Sequence, residues 1–163
     1  MGNVKVIKFL LAVIGLGIIN FPAAAAEGND PPLERQPSRL PLYLGITLKE
    51  AFDLFGVPVE VFSYRGEAEW QDTVVFYYQN QLYMFWFNNR VWQIRVDSRY
   101  TESVLGLVMG DSRSKVLETL GQPFHTDEYS VLYNLPSGGF PIKARFFFDN
   151  ERLNDIYIFR GDF

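Results

Sequence analysis

The sequence predicts an α+β fold built from two tandem copies of one unit, a short helix followed by an antiparallel meander. The segment Gly45–Pro58 returns as Gly110–Pro123 at a constant offset of 65 residues. Each copy is followed by runs of β-branched and aromatic residues broken by short polar turns, which is typical of antiparallel hairpins. Because about 55 residues are marginal for independent folding, we expect the halves to share a continuous or paired antiparallel sheet, with the helices on one face.

Each predicted helix carries its own start and stop signals. Thr47 and Ser112 can cap the first turn, and Glu50 completes a capping box that Lys115 cannot complete in the second copy. Apolar residues follow at helical spacing. A glycine then ends each helix, and a proline two residues later prevents its continuation. These glycines are Gly56 and Gly121.

The strands are predicted from runs of β-branched and aromatic residues. In the first copy they are Glu60–Tyr64, Val74–Tyr78, Leu82–Phe87 and Val91–Val96, and in the second copy Tyr129–Leu135, Ile142–Phe148 and Leu153–Phe159. The last hairpins of the two copies match if one residue is inserted in the second turn. That alignment pairs Phe85 with Phe146 and Phe87 with Phe148.

The chain begins with a pattern typical of a secretory signal peptide. Lys5 and Lys8 precede the apolar run Phe9–Ile19, and Ala24-Ala25-Ala26 fits a small-residue cleavage site. We therefore predict a signal peptide at 1–26 and a periplasmic or secreted product. Residues 27–41 contain four prolines and predict a tether, followed by repeats at 42–97 and 104–163.

Composition narrows the possible partners and chemistry. Without residues 1–26 and their two lysines, the remaining 137 residues carry a net charge of −6, which argues against nucleic acid and anionic membranes as partners. The absence of cysteine excludes disulfides and a lipid-modified cysteine after the signal. Aromatic residues make up 17% of the chain, more than so small a core needs, and this favours an aromatic binding face.

The two copies resemble one fold family. The pattern is a glycine, a capping Ser or Thr, a helix that ends in Leu-Gly-x-Pro, a strand with tyrosine, and a hairpin that reads Phe-Asn/Asp-Asn. Its carriers are Gly110, Ser112, Leu120–Pro123, Tyr133, Phe148-Asp149 and Ile156, with Gly45, Thr47, Phe55–Pro58, Phe87-Asn88 and Ile94 in the first copy. The chain thus resembles the β-lactamase inhibitory protein fold and the related SmpA/OmlA outer-membrane assembly domains. The tandem arrangement is similar to the inhibitor, although the inhibitor typically has disulfides and the assembly proteins are typically single-unit lipoproteins.

Few residues support a catalytic function, and we predict that the protein is not an enzyme. His125 is the single histidine, and no serine near it or Asp127 lies in a nucleophile elbow. The acidic residues Glu67, Glu69 and Asp72 lack the spacing of a calcium loop and indicate a solvated loop instead. No metal or cofactor is therefore expected.

Strand alternation predicts which side chains face away from the helices. It places Ile94, Val96, Trp92, Ile156 and Ile158 inward, together with the four phenylalanines aligned above. The outward set is Met84, Trp86, Arg95, Arg145, Phe147, Tyr157 and Phe159. These residue types are enriched at protein interfaces, and Trp70 in the acidic loop is a further candidate.

The leading hypothesis is an exported, non-enzymatic module that binds a protein of the cell envelope or medium through this aromatic face, as an envelope accessory or an inhibitor. An alternative is a periplasmic carrier in which Trp86, Tyr157 and Phe147 line a groove for a small apolar or glycan ligand. A structural homodimer that buries the face is the third possibility.

Overall fold

The computed structural model describes residues 39–66 and 72–163, in which two helices and eight strands follow a short 3-10 turn. The helices are α1 (Leu48–Phe55) and α2 (Arg113–Leu120). The strands are β1 (Glu60–Tyr64), β2 (Thr73–Tyr78), β3 (Leu82–Phe87), β4 (Arg90–Val96), β5 (His125–Thr126), β6 (Ser130–Leu135), β7 (Ile142–Asp149) and β8 (Arg152–Arg160). The predicted signal peptide, residues 1–26, lies outside the described residues.

All eight strands form one antiparallel sheet in the order β1-β2-β3-β4-β8-β7-β6-β5. The two halves of the chain join where β4 pairs with β8, with Ile94 opposite Ile158. The predicted α+β class with a continuous antiparallel sheet is therefore confirmed. The short strand β5, which contains His125, was not predicted.

Both helices are capped as their sequences predict. The Thr47 side chain accepts a hydrogen bond from the Glu50 amide, and the Glu50 carboxylate accepts one from the Thr47 amide, which completes the capping box. At α2 the Ser112 hydroxyl accepts from the Lys115 amide and shares a hydrogen bond with the Ser114 hydroxyl, and no capping box forms. Each helix ends at a glycine with positive φ, 72° at Gly56 and 76° at Gly121, a conformation that costs other residues free energy.

The helices cover one face of the sheet, which we call the helix face. Ala51 of α1 and Val116 of α2 are completely buried there, in one core cluster with strand residues. The strand residues in that cluster with the largest side chains include Met84, Trp86, Ile94, Phe146, Phe148, Ile156 and Ile158. We call the opposite side of the sheet the open face.

The 3-10 turn Leu40–Tyr43 packs against this core, with Leu40 only 5% exposed. Leu40 and Pro41 therefore belong to the folded part of the chain, whereas the prediction placed them at the end of the tether. Burial of the Leu40 side chain removes apolar surface from water and so holds this segment against the core. Leu40 is one of the few large apolar residues in a stretch rich in proline.

The predicted orientation of β3 is wrong. Met84 and Trp86 are 0% and 7% exposed and lie in the core, whereas Phe85 and Phe87 lie on the open face. The two-residue turns at Asn88-Asn89 and Asn150-Glu151 have nearly identical φ angles, 48° and 60° in the first and 48° and 61° in the second. The hairpins therefore match without an insertion, and the one-residue error in alignment moved every side chain of β3 to the opposite face.

A β-bulge corrects a second assignment. The register skips Trp92 between the pairs Phe85–Gln93 and Trp86–Val91, so Trp92 and Gln93 both point to the open face. The ring of Trp92 lies 6.3 Å from that of Phe85. A bulge in the corresponding place skips Asn154 in β8. Simple alternation placed Trp92 inward because it assumes an unbroken ladder.

Candidate functional site

Five of the predicted contact residues share the open face. They lie on the adjacent strands β4, β8 and β7, and they are Arg95, Tyr157, Phe159, Arg145 and Phe147. The predicted contacts Met84 and Trp86 lie in the core instead, and Trp70 lies outside the described residues. The groove predicted from Trp86, Tyr157 and Phe147 therefore does not form, because Trp86 is on the other side of the sheet.

A row of aromatic and arginine side chains crosses the open face perpendicular to the strands. Cross-strand neighbours along this row are Tyr77, Tyr83, Arg95, Tyr157 and Arg145. The rings of Tyr77 and Tyr83 are 4.8 Å apart. The Arg95 guanidinium lies 5.0 Å from the Tyr83 ring and 5.6 Å from the Tyr157 ring, so it is held between two aromatic faces.

Arg95 is held in place by charge as well as by stacking. Its Nε donates to the Asp155 carboxylate at 2.6 Å, and both side chains are largely buried. Burial would lower the pKa of Arg95, but the hydrogen bond to Asp155 and the electrostatic interactions with Asp155, Tyr157 and Tyr83 together outweigh burial and raise that pKa. Burial also raises the pKa of Tyr157. The centre of the row thus presents a fixed, charged arginine flanked by neutral tyrosines.

Tyr83 on β3 is anchored by a second charged residue, Asp97, which directly follows the end of β4. The Tyr83 hydroxyl donates to Asp97 at 2.9 Å, and Arg99 binds the same carboxylate through its backbone amide and its guanidinium. Burial would raise the pKa of Asp97, but these hydrogen bonds outweigh it and lower the pKa to about 2. Asp97 therefore remains ionised and keeps the Tyr83 ring in position beside Arg95.

Arg145 differs from Arg95 because it forms no ion pair within the part of the chain that the structure describes. Its guanidinium lies 5.9 Å from the Phe147 ring, and its buried Nε has no hydrogen-bond partner in the same residues. The Phe147 ring in turn packs edge-on against Tyr157 at 5.4 Å. Arg145 is thus a cation on the open face that is available to an acceptor.

A second aromatic group continues the open face toward the C-terminus. Phe163 lies 5.2 Å from Phe87 and 5.9 Å from Trp92, and the Trp92 indole donates to the Thr73 hydroxyl at 3.4 Å. Sequence reasoning missed this group because it assigned Phe85, Phe87 and Trp92 to the core. The equal lengths of the two Asn-containing turns were the signal that could have identified Phe85 and Phe87 as members of this group.

His125 is exposed on β5, opposite Leu132. Within residues 39–66 and 72–163 no group of three His, Asp or Glu side chains could hold a metal ion. Glu67 and Glu69 of the predicted acidic loop lie outside these ranges. In the same part of the chain, neither helix has the length and apolar composition needed to cross a membrane.

No family model and no curated protein match the sequence. Among solved structures, an extracellular protein containing an SCP domain from Bacillus anthracis strain Ames superposes with a TM-score of 0.53 at 10% identity. The match covers 82% of this chain and 49% of the other, so the chain spans about half the length of that protein. At this identity the similarity shows the fold alone.

A proposed β-lactamase inhibitor protein from Streptococcus mutans has a TM-score of 0.30 at 12% identity, over 70% of this chain and 82% of its own. That likeness is too weak to support an argument about function.

Proposed function

We propose that the protein is an exported, non-enzymatic module that binds another protein through the open face of its sheet. The main support is the contrast between the two sides of the sheet, because both described helices pack on one side only. The other side carries tyrosine, tryptophan, phenylalanine and arginine, the residue types enriched at interface hot spots. These rings and cations are held by stacking and by ion pairs, so little side-chain freedom is lost on binding.

Export is proposed from the sequence, since the three-part pattern at 1–26 is typical of a cleaved secretory signal. The absence of an enzymatic activity is proposed from the same source. A single histidine and no cysteine leave few combinations for nucleophilic or metal-assisted catalysis. Such a signal would direct the protein to the periplasm or to the medium.

We also propose that the two halves are a tandem repeat of the unit that the sequence predicts, which resembles the β-lactamase inhibitory protein. Corresponding contacts support this proposal. The Gly45 amide donates to the Val91 carbonyl at 2.7 Å, and the Gly110 amide donates to the Leu153 carbonyl at 2.8 Å. The arginine after each hairpin turn, Arg90 or Arg152, donates to the carbonyl of the glycine in its own half.

The partner that fits this face carries an acidic group beside apolar side chains. Among the described residues Arg145 forms no ion pair, although it lies close enough to Asp127 to lower the pKa of that carboxyl, and Phe147 and Tyr157 lie next to it. A carboxylate that reaches Arg145 would form a charge-assisted hydrogen bond in a partly desolvated site, where such bonds are strongest.

A matched pair of phenylalanine variants tests the proposal. Phe147→Ala removes a ring from the open face, and Phe52→Ala removes an exposed ring from α1 on the helix face. Immobilised wild-type protein and both variants are incubated with envelope extract and medium of the source cells. We expect a protein retained by wild type and by Phe52→Ala and lost from Phe147→Ala, while circular dichroism shows all three folded. Equal retention by both variants would contradict the proposal.

A carrier of a small apolar ligand is the second candidate, and one observation favours it. A cleft of about 510 Å³ lies between α2 and β6 and is lined mainly by apolar side chains, a size suited to a small molecule. Its lining includes Leu105, Thr119, Leu120, Tyr133, Leu135 and Pro136. Titration with a fluorescent fatty acid tests this candidate. Binding that is lost in Thr119→Trp and kept in Phe147→Ala would favour the carrier over the protein-binding module.

A further inference from the structure

The two outer edges of the sheet are built differently. β5 at one edge has two residues and follows Pro123 closely. β1 at the other edge has five residues, Glu60–Tyr64, and every one of them is exposed. Its register with β2 runs through five consecutive pairs without a bulge. Within the described residues β1 pairs on one side only, so the other side presents free backbone amides and carbonyls.

β1 lacks the features that normally protect an edge strand. Natural edges carry lysine, proline or a bulge, or are very short. The sequence Glu-Val-Phe-Ser-Tyr has none of these, its one charge is Glu60 at the first position, and Val61, Phe62 and Tyr64 are 57%, 40% and 51% exposed. Exposed apolar residues are concentrated in the part of the chain that runs from α1 through β1 into β2. They are Phe52, Leu54, Val57, Val59, Val61, Phe62, Tyr64 and Val74.

We propose that the protein self-associates through β1. In this dimer β1 of a second copy pairs antiparallel with β1 of the first, and the two-fold axis passes between the two Phe62 residues. Two copies of a five-residue strand can pair antiparallel over all five residues in one register only. In that register Phe62 faces Phe62 of the second copy, and Val61 faces Ser63. Cross-strand aromatic pairs of this kind stabilise antiparallel ladders.

The charges and the two faces are compatible with this pairing. Glu60 lies opposite Tyr64 of the second copy, so no like charges meet, and Glu60 of one copy shares an end of the ladder with Arg65 of the other. Directly opposite residues of an antiparallel pair project to the same face. The two open faces therefore lie on the same side of one extended sheet, and both remain accessible.

This interface is separate from the one in the proposed function. It uses the edge of the sheet, whereas the proposed partner uses the open face around Arg145 and Phe147. Failure of one proposal leaves the other unaffected, because the first is measured by self-association and the second by capture of a partner.

Single cysteines test the register, since the natural chain has no cysteine. In the proposed pairing the Cα atoms of the two Phe62 residues are about 4.5 to 5.5 Å apart, within the range of a disulfide. Those of the two Ser63 residues are about 8 Å apart, beyond that range. The full chain is produced with Phe62→Cys, Ser63→Cys or Thr126→Cys, the last on the exposed edge β5, and the purified proteins are oxidised at equal concentration.

We expect Phe62→Cys to give at least about five-fold more disulfide-linked dimer than either control. Equal cross-linking of the three variants, or none in Phe62→Cys, would overturn the proposal. Sedimentation of the cysteine-free protein is the second measurement, because Phe62→Cys could alter folding. Wild type should sediment as a dimer and Val61→Lys as a folded monomer, and a wild type that is monomeric at ~100 µM would also overturn it.

Discussion

Two tryptophans near the same hairpin illustrate how differently the two faces of this sheet are used. Trp86 is 7% exposed and is packed among aliphatic and aromatic side chains below α1, with its indole nitrogen unpaired within the described residues. Trp92 lies on the open face, half-buried, with its indole nitrogen bonded to Thr73 and its ring between Phe85 and Phe163. Trp86 therefore stabilises the core by packing, whereas Trp92 is part of a surface whose side chains are held in place by ring contacts and a hydrogen bond.

The comparison teaches that aromatic content alone does not identify a binding face. On the helix face, fully buried residues such as Met84 and Phe146 stabilise the fold by removing apolar area from water. On the open face Phe85 and Val75 are buried, but ion pairs and ring contacts hold other side chains, such as Arg95, Trp92 and Phe147, that remain partly accessible. We expect substitutions on the first face to change stability and substitutions on the second to change binding.

The largest expected effect separates the two tryptophans. Trp86→Ala should lower the free energy of unfolding by about 3–5 kcal/mol, because it leaves a cavity in the core. Trp92→Ala should cost roughly 1–2 kcal/mol, since its surroundings can relax into solvent. Urea unfolding monitored by circular dichroism measures both values. A loss for Trp92→Ala as large as that for Trp86→Ala would remove the distinction between the faces.

An intermediate effect concerns the acid stability of the open face. The pKa of Asp97 is about 2 in the folded protein and near its ordinary value of 3.8 when unfolded, so its ionised form favours folding above pH 4. This stabilisation, on the order of 2 kcal/mol, is lost as the pH falls from about 4 to 2. Asp97→Asn should therefore show a shallower loss of stability over that range than wild type.

Chemical unfolding at a series of pH values provides the test for Asp97. Asp162→Asn is the control, because Asp162 is an exposed carboxylate paired with Arg160. Exposed pairs contribute little, so its pH dependence should follow wild type. Parallel curves for Asp97→Asn and wild type would show that the bonds to Tyr83 and Arg99 do not stabilise the fold.

The smallest expected effect concerns the turn of the β3–β4 hairpin, which the sequence alignment misplaced by one residue. Asn89 has φ of 60° at the second position of its turn, where glycine has no steric cost. Asn89→Gly should raise the free energy of unfolding by a few tenths of a kcal/mol, because relief of the positive-φ cost exceeds the added entropy of the unfolded chain. The melting temperature measures the change. A decrease would indicate that the turn is not of the two-residue type that aligns the halves.

Local patterns predicted much of the fold. The capping residues Thr47 and Ser112 and the strand runs are short-range features, and the structure forms them where the sequence predicts. The orientation of β3 was not predictable from alternation, because its residues are apolar on both faces and no polar residue marks the outer side. The 3-10 turn at Leu40 and the short strand β5 depend on tertiary contacts that the sequence does not display.

For the candidate site, too, the face of a residue was predictable where the strand alternates regularly and not where the ladder is interrupted. Arg95, Arg145, Phe147, Tyr157 and Phe159 lie on the face that alternation predicted, because buried and partly exposed positions alternate regularly around them in β4, β7 and β8. Trp92 was missed because a bulge inserts one residue into the ladder, and no local signal in the sequence marks it.

Site-specific photocross-linking in the source cells tests most directly whether the open face is the binding face. A photoreactive phenylalanine analogue replaces Phe147 in one strain and Phe52 in another, so that each probes one face through a side chain of similar size. We predict a discrete higher-mass adduct from position 147 after irradiation and none from position 52. The same adduct from both positions, or an adduct from position 52 only, would contradict the assignment of binding to the open face.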